Sequence, residues 1–364
     1  MFKNDNFVPH SINMGNNSRK KAIFKIFSQN LEWIKEEPKI EFRPDFSNGY
    51  LCPLCFNIFF EKDLDSNLKN FLTLEDIPPK SLGGKPRALT CKDCNSTSGH
   101  ELDVHLLNNL LDIDVNSFLP NSKSNAIFEL SGNKVNGTIE IEEDGKMNLN
   151  LQTNRSNPIE ANNFISEFAP PKTIYNPLFN PDKIFDNGFK SPTFKLKFKN
   201  NFNERRAEIA LLRIAYLIGF SSFGNGFLIN AGLYKVREQI LKPDENILPK
   251  VFWIKYDFPR ELEGINIITL PKDLQCFLII FTLTTKSSSR QFAIVLPGPS
   301  NPGIKVYDYI ENNLCVGDGT ESLEGFYEHI NVDGLLKEKE LAFASNTLWE
   351  NFTNENYKPR IKPE

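Results

Sequence analysis

The chain has no long hydrophobic run. Its longest apolar stretch, Cys276 to Phe281, is far shorter than the roughly 20 residues that cross a bilayer, so we expect no transmembrane helix and no membrane partner. The N-terminus lacks the apolar core of a secretory signal, which predicts a cytoplasmic protein. Neither charge is in excess, since 42 Lys and Arg face 46 Asp and Glu. Any contact with nucleic acid must therefore come from a local basic patch.

Several familiar motifs are also absent. The sequence contains no P-loop, no G-x-G-x-x-G, no G-x-S-x-G, no H-E-x-x-H and no internal repeat. The remaining composition is ordinary, with 40% hydrophobic and 24% charged residues and a mean hydropathy of −0.36. These values are typical of a soluble globular protein, and 364 residues suffice for two domains.

Cysteine is the informative residue type. Four of the six cysteines form two C-x-x-C pairs, Cys52 with Cys55 and Cys91 with Cys94. Disulfides are not expected in a reducing cytoplasm, whereas four thiolates make up the tetrahedral ligand set of a structural Zn²⁺. We therefore predict zinc at these four positions. The alternatives are unliganded core cysteines, an iron site of the rubredoxin type and a redox pair, which would need only one C-x-x-C.

The segment around the second pair resembles a known nuclease family. Leu72 to Asp103 reads LTLEDIPPKSLGGKPRALTCKDCNSTSGHELD. It is similar to the zinc-binding HNH endonucleases, in which a strand ending in Glu-His-(Ile/Val)-x-Pro-Lys leads through a Gly-Gly loop to C-x-x-C-Asn and a helix. The resemblance covers about residues 50–110. The matching positions are Cys52, Cys55, Glu75, Pro79, Lys80, Gly83, Gly84, Cys91, Cys94, Asn95, Gly99 and Asp103.

This resemblance implies an activity and a set of roles. The activity is metal-dependent hydrolysis of DNA phosphodiester bonds, in the setting of restriction or antiviral defence. Glu75 would bind a catalytic Mg²⁺ or Mn²⁺ with help from Asn95 and His100, and the next residue would be the general base. The family usually has a histidine there, but this chain has Asp76, which is a weaker base by roughly 2.6 pKa units.

Three interpretations of Asp76 remain open at this point. It could be a base whose pKa is raised by burial and by the neighbouring Glu75. The two carboxylates could instead bind one hard divalent ion together. The site could also be inactive, which would leave a catalytically degenerate zinc module that binds nucleic acid or protein as a subunit of an effector complex.

Two further features bear on this site. Asn95 suits the N-cap of a helix running to about Leu111, and His100 is expected to pair with Asp103 three residues later. The Gly-Gly loop is flanked by cations that could grip a phosphodiester or could simply be solvated, namely Lys80, Lys85 and Arg87. A second basic group could extend that surface or mark a solvated helix start, and it comprises Arg19, Lys20, Lys21 and Lys25.

The rest of the chain predicts an α+β protein. We expect a helical extension over 1–49, a ββα-metal (HNH-like) module with a four-cysteine zinc site over 50–118, and a larger mixed α/β domain over 119–364 for target recognition or docking of a protein partner. Alternation around Asp144 and Gly145 predicts a β-hairpin, and the proline-rich stretch 154–192 predicts a loop. Two helices are expected within 203–242, and strands are expected at 251–258, 276–285 and 291–298.

Overall fold

The computed structural model shows a mixed α+β protein with antiparallel sheets. It describes residues 15–168, 193–198, 201–250, 253–254, 257–299, 305–314, 325–354 and 356–357. None of the helices in these ranges combines the length and the hydrophobicity that a transmembrane span requires. The helices are α1 (Asn16–Lys35), α2 (Lys92–Ser98), α3 (Val104–Asn116), α4 (Pro158–Phe168), α5 (Glu204–Phe223), α6 (Asn225–Leu228), α7 (Tyr234–Leu241), α8 (Lys305–Leu314) and α9 (Ala344–Thr353).

The strands form four separate sheets in the described residues. They are β1 (Tyr50–Leu51), β2 (Ile58–Phe59), β3 (Leu72–Ile77), β4 (Lys85–Cys91), β5 (Lys123–Leu130), β6 (Asn133–Ile141), β7 (Met147–Leu151), β8 (Lys195–Phe198), β9 (Trp253–Ile254), β10 (Gly264–Leu270), β11 (Cys276–Thr284), β12 (Ser289–Pro297) and β13 (Phe326–Ile330). The strand orders are β1-β2, β3-β4, β7-β6-β5-β8 and β13-β10-β11-β12-β9.

The chain divides into two compact units. The first comprises 1–107, 202–284 and 289–364, and the second comprises 108–201 and 285–288. This division differs from the predicted boundaries at 49 and 118, because the segment after residue 201 returns to the unit that contains the cysteines. Sequence adjacency could not show that return, since it depends on contacts between residues far apart in the chain.

Helix α5 is the central element of the first unit. Nearly every residue from Ala207 to Phe223 is buried, as the apolar sequence predicts. An aromatic cluster joins α5 to the five-stranded sheet, with Phe223 stacked on Phe227 and both rings next to Phe277. Burial of such rings contributes roughly 1.5–3 kcal/mol each, so this helix is fixed in place.

Helix α1 packs on the β3–β4 hairpin through one apolar face. Ile23, Phe24 and Phe27 are buried, and the ring of Phe24 stacks on Tyr50 at 6.0 Å between centroids. The Tyr50 hydroxyl donates to the carbonyl oxygen of Leu89 (2.7 Å) and accepts from the amide of the same residue (3.0 Å). The buried hydroxyl therefore has both a hydrogen-bond donor and an acceptor as partners. Because Phe24 of α1 stacks on Tyr50, and Tyr50 is hydrogen-bonded to Leu89, α1 is anchored to β4.

The Gly-Gly loop of the hairpin requires both glycines. Gly83 has φ 91°, in the left-handed region that other residues rarely adopt. A Cβ at Gly84 would collide with the carbonyl oxygen of Pro78. Opposite Glu75 and Asp76, β4 carries one extra residue, because Glu75 pairs with Ala88 whereas Asp76 pairs with Pro86. This β-bulge leaves Arg87 outside the regular pairing.

The second unit has its own core. Its four-stranded sheet packs against α4 through Phe128, Val135, Ile139 and Phe164, all of which are buried. The predicted hairpin is present as β6 and β7 around Asp144 and Gly145. The predicted loop at 154–192 is partly wrong, because α4 occupies 158–168, where Pro158 provides a favourable first helical position. Residues 169–192 lie outside the described part of the chain.

Several other secondary-structure elements predicted from the sequence are present in the structure. Helices α5 and α7 and strands β11 and β12 confirm the expected elements, and β11 pairs with β12 in antiparallel orientation. Of the strand expected at 251–258, Trp253–Ile254 is described as a strand, and 251–252 and 255–256 lie outside the described residues. Strands β5, β8, β10 and β13 were not expected from the sequence.

Candidate functional site

The four paired cysteines lie together. Their sulfur atoms are all within 4.8 Å of one another, and Cys55 Sγ lies 3.7 Å from Cys91 Sγ. A tetrahedral ion with Zn–S bonds of about 2.3 Å places its sulfurs about 3.8 Å apart, so the cluster fits such an ion. All four are free thiols, and a disulfide would need sulfurs about 2.05 Å apart. The cluster could therefore hold a metal such as zinc.

The electrostatics of the cluster also favour a cation. Hydrogen bonds among the sulfurs lower the pKa of Cys55 and Cys91 but raise the pKa of Cys52 and Cys94. The four thiols cannot all ionise at this spacing unless a positive ion lies between them. Among the described residues, this is the one group of three or more His, Cys, Asp or Glu side chains close enough to share a metal.

Two side chains from the segment after residue 201 hold the first cysteine turn. The Tyr216 hydroxyl donates to the carbonyl oxygen of Pro53 at 2.9 Å. The Arg237 guanidinium donates to the carbonyl oxygen of Leu54 at 3.0 Å and lies 3.9 Å from the ring centroid of Phe56. Such supporting contacts fix the backbone that presents metal ligands.

Glu75 does not face open space. Its side chain is 5% exposed and accepts two short charge-assisted contacts. Oε2 accepts from the Thr90 hydroxyl at 2.6 Å, and Oε1 accepts from Arg213 Nη2 at 2.6 Å. Both carboxylate oxygens are therefore engaged within the protein.

Arg213 connects Glu75 to a second carboxylate. It is 1% exposed, and its Nη1 lies 3.2 Å from Oδ1 and 3.4 Å from Oδ2 of Asp103. Burial alone would lower the pKa of Arg213, but Glu75 and Asp103 outweigh burial and hold the pKa above its ordinary value. We define these three residues, Glu75, Asp103 and Arg213, as the buried ionic triad. Arg213 is not among the site residues predicted from the sequence, although a lone arginine in an apolar helix indicates a buried carboxylate partner.

The pKa of Asp103 is raised by burial, and by the charge of Glu75, to about 6 although Arg213 opposes the shift. The ordinary value is 3.8, so between these pH values the folded state keeps a proton that the unfolded state has released. The contribution of Asp103 to stability is thus larger below this window and falls as the pH rises through it.

This shift predicts a pH-dependent stability. Between pH 5.5 and 7.5 we expect Asp103 to lower the free energy of unfolding by about 1 kcal/mol, since each pKa unit corresponds to about 1.4 kcal/mol. Urea unfolding across this range would measure the change, and Asp103→Asn provides the reference because its side chain does not titrate. An identical pH dependence in parent and variant would contradict the assignment.

Asp76 and Asn95 lie in different surroundings from Glu75. Successive residues of a strand point to opposite faces, and the side chain of Asp76 is half-buried. Its pKa is raised by burial and then by Glu75, while Lys80 and Arg19 act to lower it. Asn95 Nδ2 donates to Thr73 Oγ1 at 2.9 Å and to the carbonyl oxygen of Leu74 at 3.3 Å. Among the described residues, no hydrogen bond joins Glu75, Asp76 and Asn95 directly.

Two local expectations were wrong. Asn95 is not an N-cap, because α2 already begins at Lys92, after Cys91. His100 is exposed in a π-helical turn over Gly99–Asp103, and its expected partner Asp103 instead binds Arg213. A permanently charged, buried guanidinium competes for that carboxylate better than an exposed imidazole. Lys80, Lys85 and Arg87 are all exposed, although desolvation by the surrounding protein lowers the pKa of Arg87.

Comparison with known proteins gives no assignment. No protein-family model, no curated protein and no solved structure matches this chain.

Proposed function

We propose that this chain is a nucleic-acid-binding protein built on an HNH-like module with structural zinc, and that Glu75 stabilises the fold rather than binding a catalytic metal. The observation that carries the proposal is the 2.6 Å ion pair between Glu75 and Arg213 in a site where the two side chains are 5% and 1% exposed. The HNH-like part rests on the resemblance and on the order hairpin, Gly-Gly loop, cysteine pair and helix.

A divalent ion does not fit at Glu75 in this conformation. Mg²⁺ and Mn²⁺ prefer several oxygen ligands with open space for water, whereas both oxygens of Glu75 are already bonded. A cation placed there would also meet the positive charge of Arg213 at close range in a buried setting, where such repulsion is strong. Beside Glu75, where the resemblance to HNH endonucleases implies a catalytic metal ion, this chain places the guanidinium of Arg213.

The nucleic-acid part of the proposal rests on the exposed hairpin loop. Lys80 lies just before Gly83 and Gly84, and Lys85 and Arg87 lie at the start of β4 just after them. Cations on both sides of a tight turn suit contact with phosphates, which position a nucleic acid without reading its sequence. DNA is the substrate class of the resembling family, so we propose DNA as the partner.

Endonuclease activity at Asp76 is the second candidate. The observation that favours it is the position of Asp76, which is half-buried, has a raised pKa, and lies near Lys80 and Arg19. A carboxylate with a raised pKa is a better base towards water, and nearby cations would hold the phosphate. This candidate does not need Glu75 to leave Arg213.

A plasmid-nicking assay with Mg²⁺ or Mn²⁺ separates the candidates. We expect the parent to bind the plasmid without nicking it, and neither ion to raise its unfolding temperature. Nicking that is lost in Asp76→Asn but kept in Glu75→Gln would instead support the second candidate. Nicking that is lost in both variants, while Glu75→Gln keeps a cooperative thermal transition, would show that Glu75 takes part in catalysis and would contradict the proposal. Activity gained in Asp76→His alone would confirm that the parent site is degenerate.

A further inference from the structure

Two lysines from distant parts of the chain share one aromatic ring. The ammonium of Lys20, on α1, lies 5.3 Å from the ring centroid of Phe71. The ammonium of Lys92, at the start of α2, lies 5.5 Å from the same centroid. Both distances are within the range of a cation–π interaction, which holds an ammonium in place while its N–H groups can still donate to another ligand.

The protein holds both lysines in place through the backbone. The amide of Lys92 donates to the carbonyl oxygen of Phe71 at 2.8 Å, which fixes the start of α2 beside the ring. Lys20 is positioned by the packing of α1, whose Phe24 stacks on Tyr50, and Tyr50 is bonded to Leu89 of β4. Both ammonium groups therefore lie beside Phe71 because α1 packs on the hairpin.

More positive charge lies around the same hairpin. Arg19, the neighbour of Lys20, and Lys80 of the Gly-Gly loop both act on the pKa of Asp76, so both are within electrostatic range of that carboxylate. Lys20 and Arg19 are half-buried, and Lys80 and Lys92 are exposed. The chain as a whole has a net charge of −4, so this concentration of cations is a local feature and not a consequence of composition.

We propose that Lys20, Lys92 and Phe71 form a clamp for the phosphodiester backbone of a nucleic acid, which extends the binding surface from the hairpin loop onto α1. This proposal rests on the proposed nucleic-acid binding and names a part of its surface. Because the ammonium groups already lie over the ring of Phe71, the clamp binds phosphates and not stacked bases. Binding through it is therefore independent of base sequence and strongly dependent on salt.

The test is binding of the full chain to a fluorescent DNA oligonucleotide of mixed sequence, in duplex and in single-stranded form, over a series of salt concentrations. Removal of one phosphate contact lowers the slope of log Kd against log salt concentration by about 1. We expect the double variant Lys20→Gln, Lys92→Gln to bind several-fold more weakly and to lose about 2 from this slope. Phe71→Leu should weaken binding less, because it loosens the ammonium groups but keeps their charge.

Lys25→Gln is the matched control. Lys25 is exposed on the same helix, and five residues place it about 140° around α1 from Lys20. It should leave affinity and slope unchanged, and all variants should keep the unfolding temperature of the parent. A loss seen with one DNA form identifies the form that the clamp holds.

Three outcomes would overturn the clamp. If the parent binds DNA and the double variant binds equally well, the clamp is wrong while the proposed function stands. If Lys25→Gln weakens binding as much as the double variant does, general charge explains the effect. If the parent binds neither form of DNA at low salt, the clamp and the proposed function both fail.

Discussion

Removal of zinc is expected to unfold the part of the chain that holds the cysteines. We expect purified protein to carry one zinc ion per chain, and we expect a strong chelator at neutral pH, or Cys91→Ala, to abolish its cooperative thermal transition. Structural zinc contributes about 10–16 kcal/mol in small sites, which equals or exceeds the 5–15 kcal/mol that stabilises a typical domain. Zinc stoichiometry and near-UV circular dichroism would measure the two effects together.

Loss of the ion is expected to unfold this region because the four sulfurs come from separate segments of the chain. Cys52 and Cys55 belong to the turn between β1 and β2, whereas Cys91 ends β4 and Cys94 lies in α2. The strands β1 and β2 are two residues long each, and so short a pair is not stable alone. Without the ion, the sulfurs would be left as crowded thiols with opposed pKa shifts, and few contacts besides the hydrogen bonds of Tyr50 to Leu89 would join this turn to the hairpin.

Cys276→Ala is the matched control for this experiment. Cys276 is also a buried free thiol, at 1% exposure, but it lies in β11 and outside the cluster. Its loss removes one small side chain from the core and should leave the zinc content unchanged, with a cost of about 1 kcal/mol. If the chelated protein kept the unfolding temperature of the parent, the cluster would be dispensable for stability.

The sequence was sufficient to predict the cluster itself. Two C-x-x-C pairs leave few arrangements, because a structural zinc takes four ligands and two such pairs supply four thiolates. The hairpin that carries Gly83 and Gly84 was predictable for a similar reason, since both glycines occupy backbone positions that other residues cannot. Local chemistry of this kind is fixed by residue type and spacing.

The surroundings of Glu75 were not predictable in that way. Glu75 and Arg213 are 138 residues apart, and nothing local to Glu75 indicates that a cation will reach it from α5. The charge of Arg213 in an apolar helix predicts that a carboxylate must be near, but not which one. The division into two compact units was not predictable either. Which segments belong to the same unit depends on contacts between residues far apart in the sequence, and local sequence patterns do not show these contacts.

Replacement of Arg213 is expected to produce the second large effect. In Arg213→Met, Glu75 and Asp103 would remain buried without their cation, and we expect a loss of about 3–5 kcal/mol in the free energy of unfolding at pH 7. The loss should shrink as the pH is lowered, because the abandoned carboxylates can then take up protons at little cost. Denaturant unfolding of parent and variant at pH 5.5 and 7.5 would measure both the loss and its recovery.

Arg206→Met is the matched control on the same helix. Arg206 also forms an ion pair, at 2.8 Å with Asp244, but the two side chains are 22% and 72% exposed. Water already screens that pair, so its loss should cost no more than about 1 kcal/mol. The cost should vary with pH less than that of Arg213→Met, because His105, whose pKa is lowered by burial and by Arg206, is only partly buried. If the two variants lost the same free energy of unfolding, burial would not increase the contribution of the buried ionic triad to stability.

A triple variant then separates the charge from the shape of the site. Arg213→Met combined with Glu75→Gln and Asp103→Asn removes every charge of the buried ionic triad while keeping side chains of similar size. Buried ion pairs can often be replaced by neutral groups at little cost, so the triple variant should regain most of the stability lost by Arg213→Met. If it stays as unstable as the single variant, then packing by the arginine, and not neutralisation of Glu75, is what Arg213 provides. In that case Arg213 does not take the place of a catalytic metal through its charge.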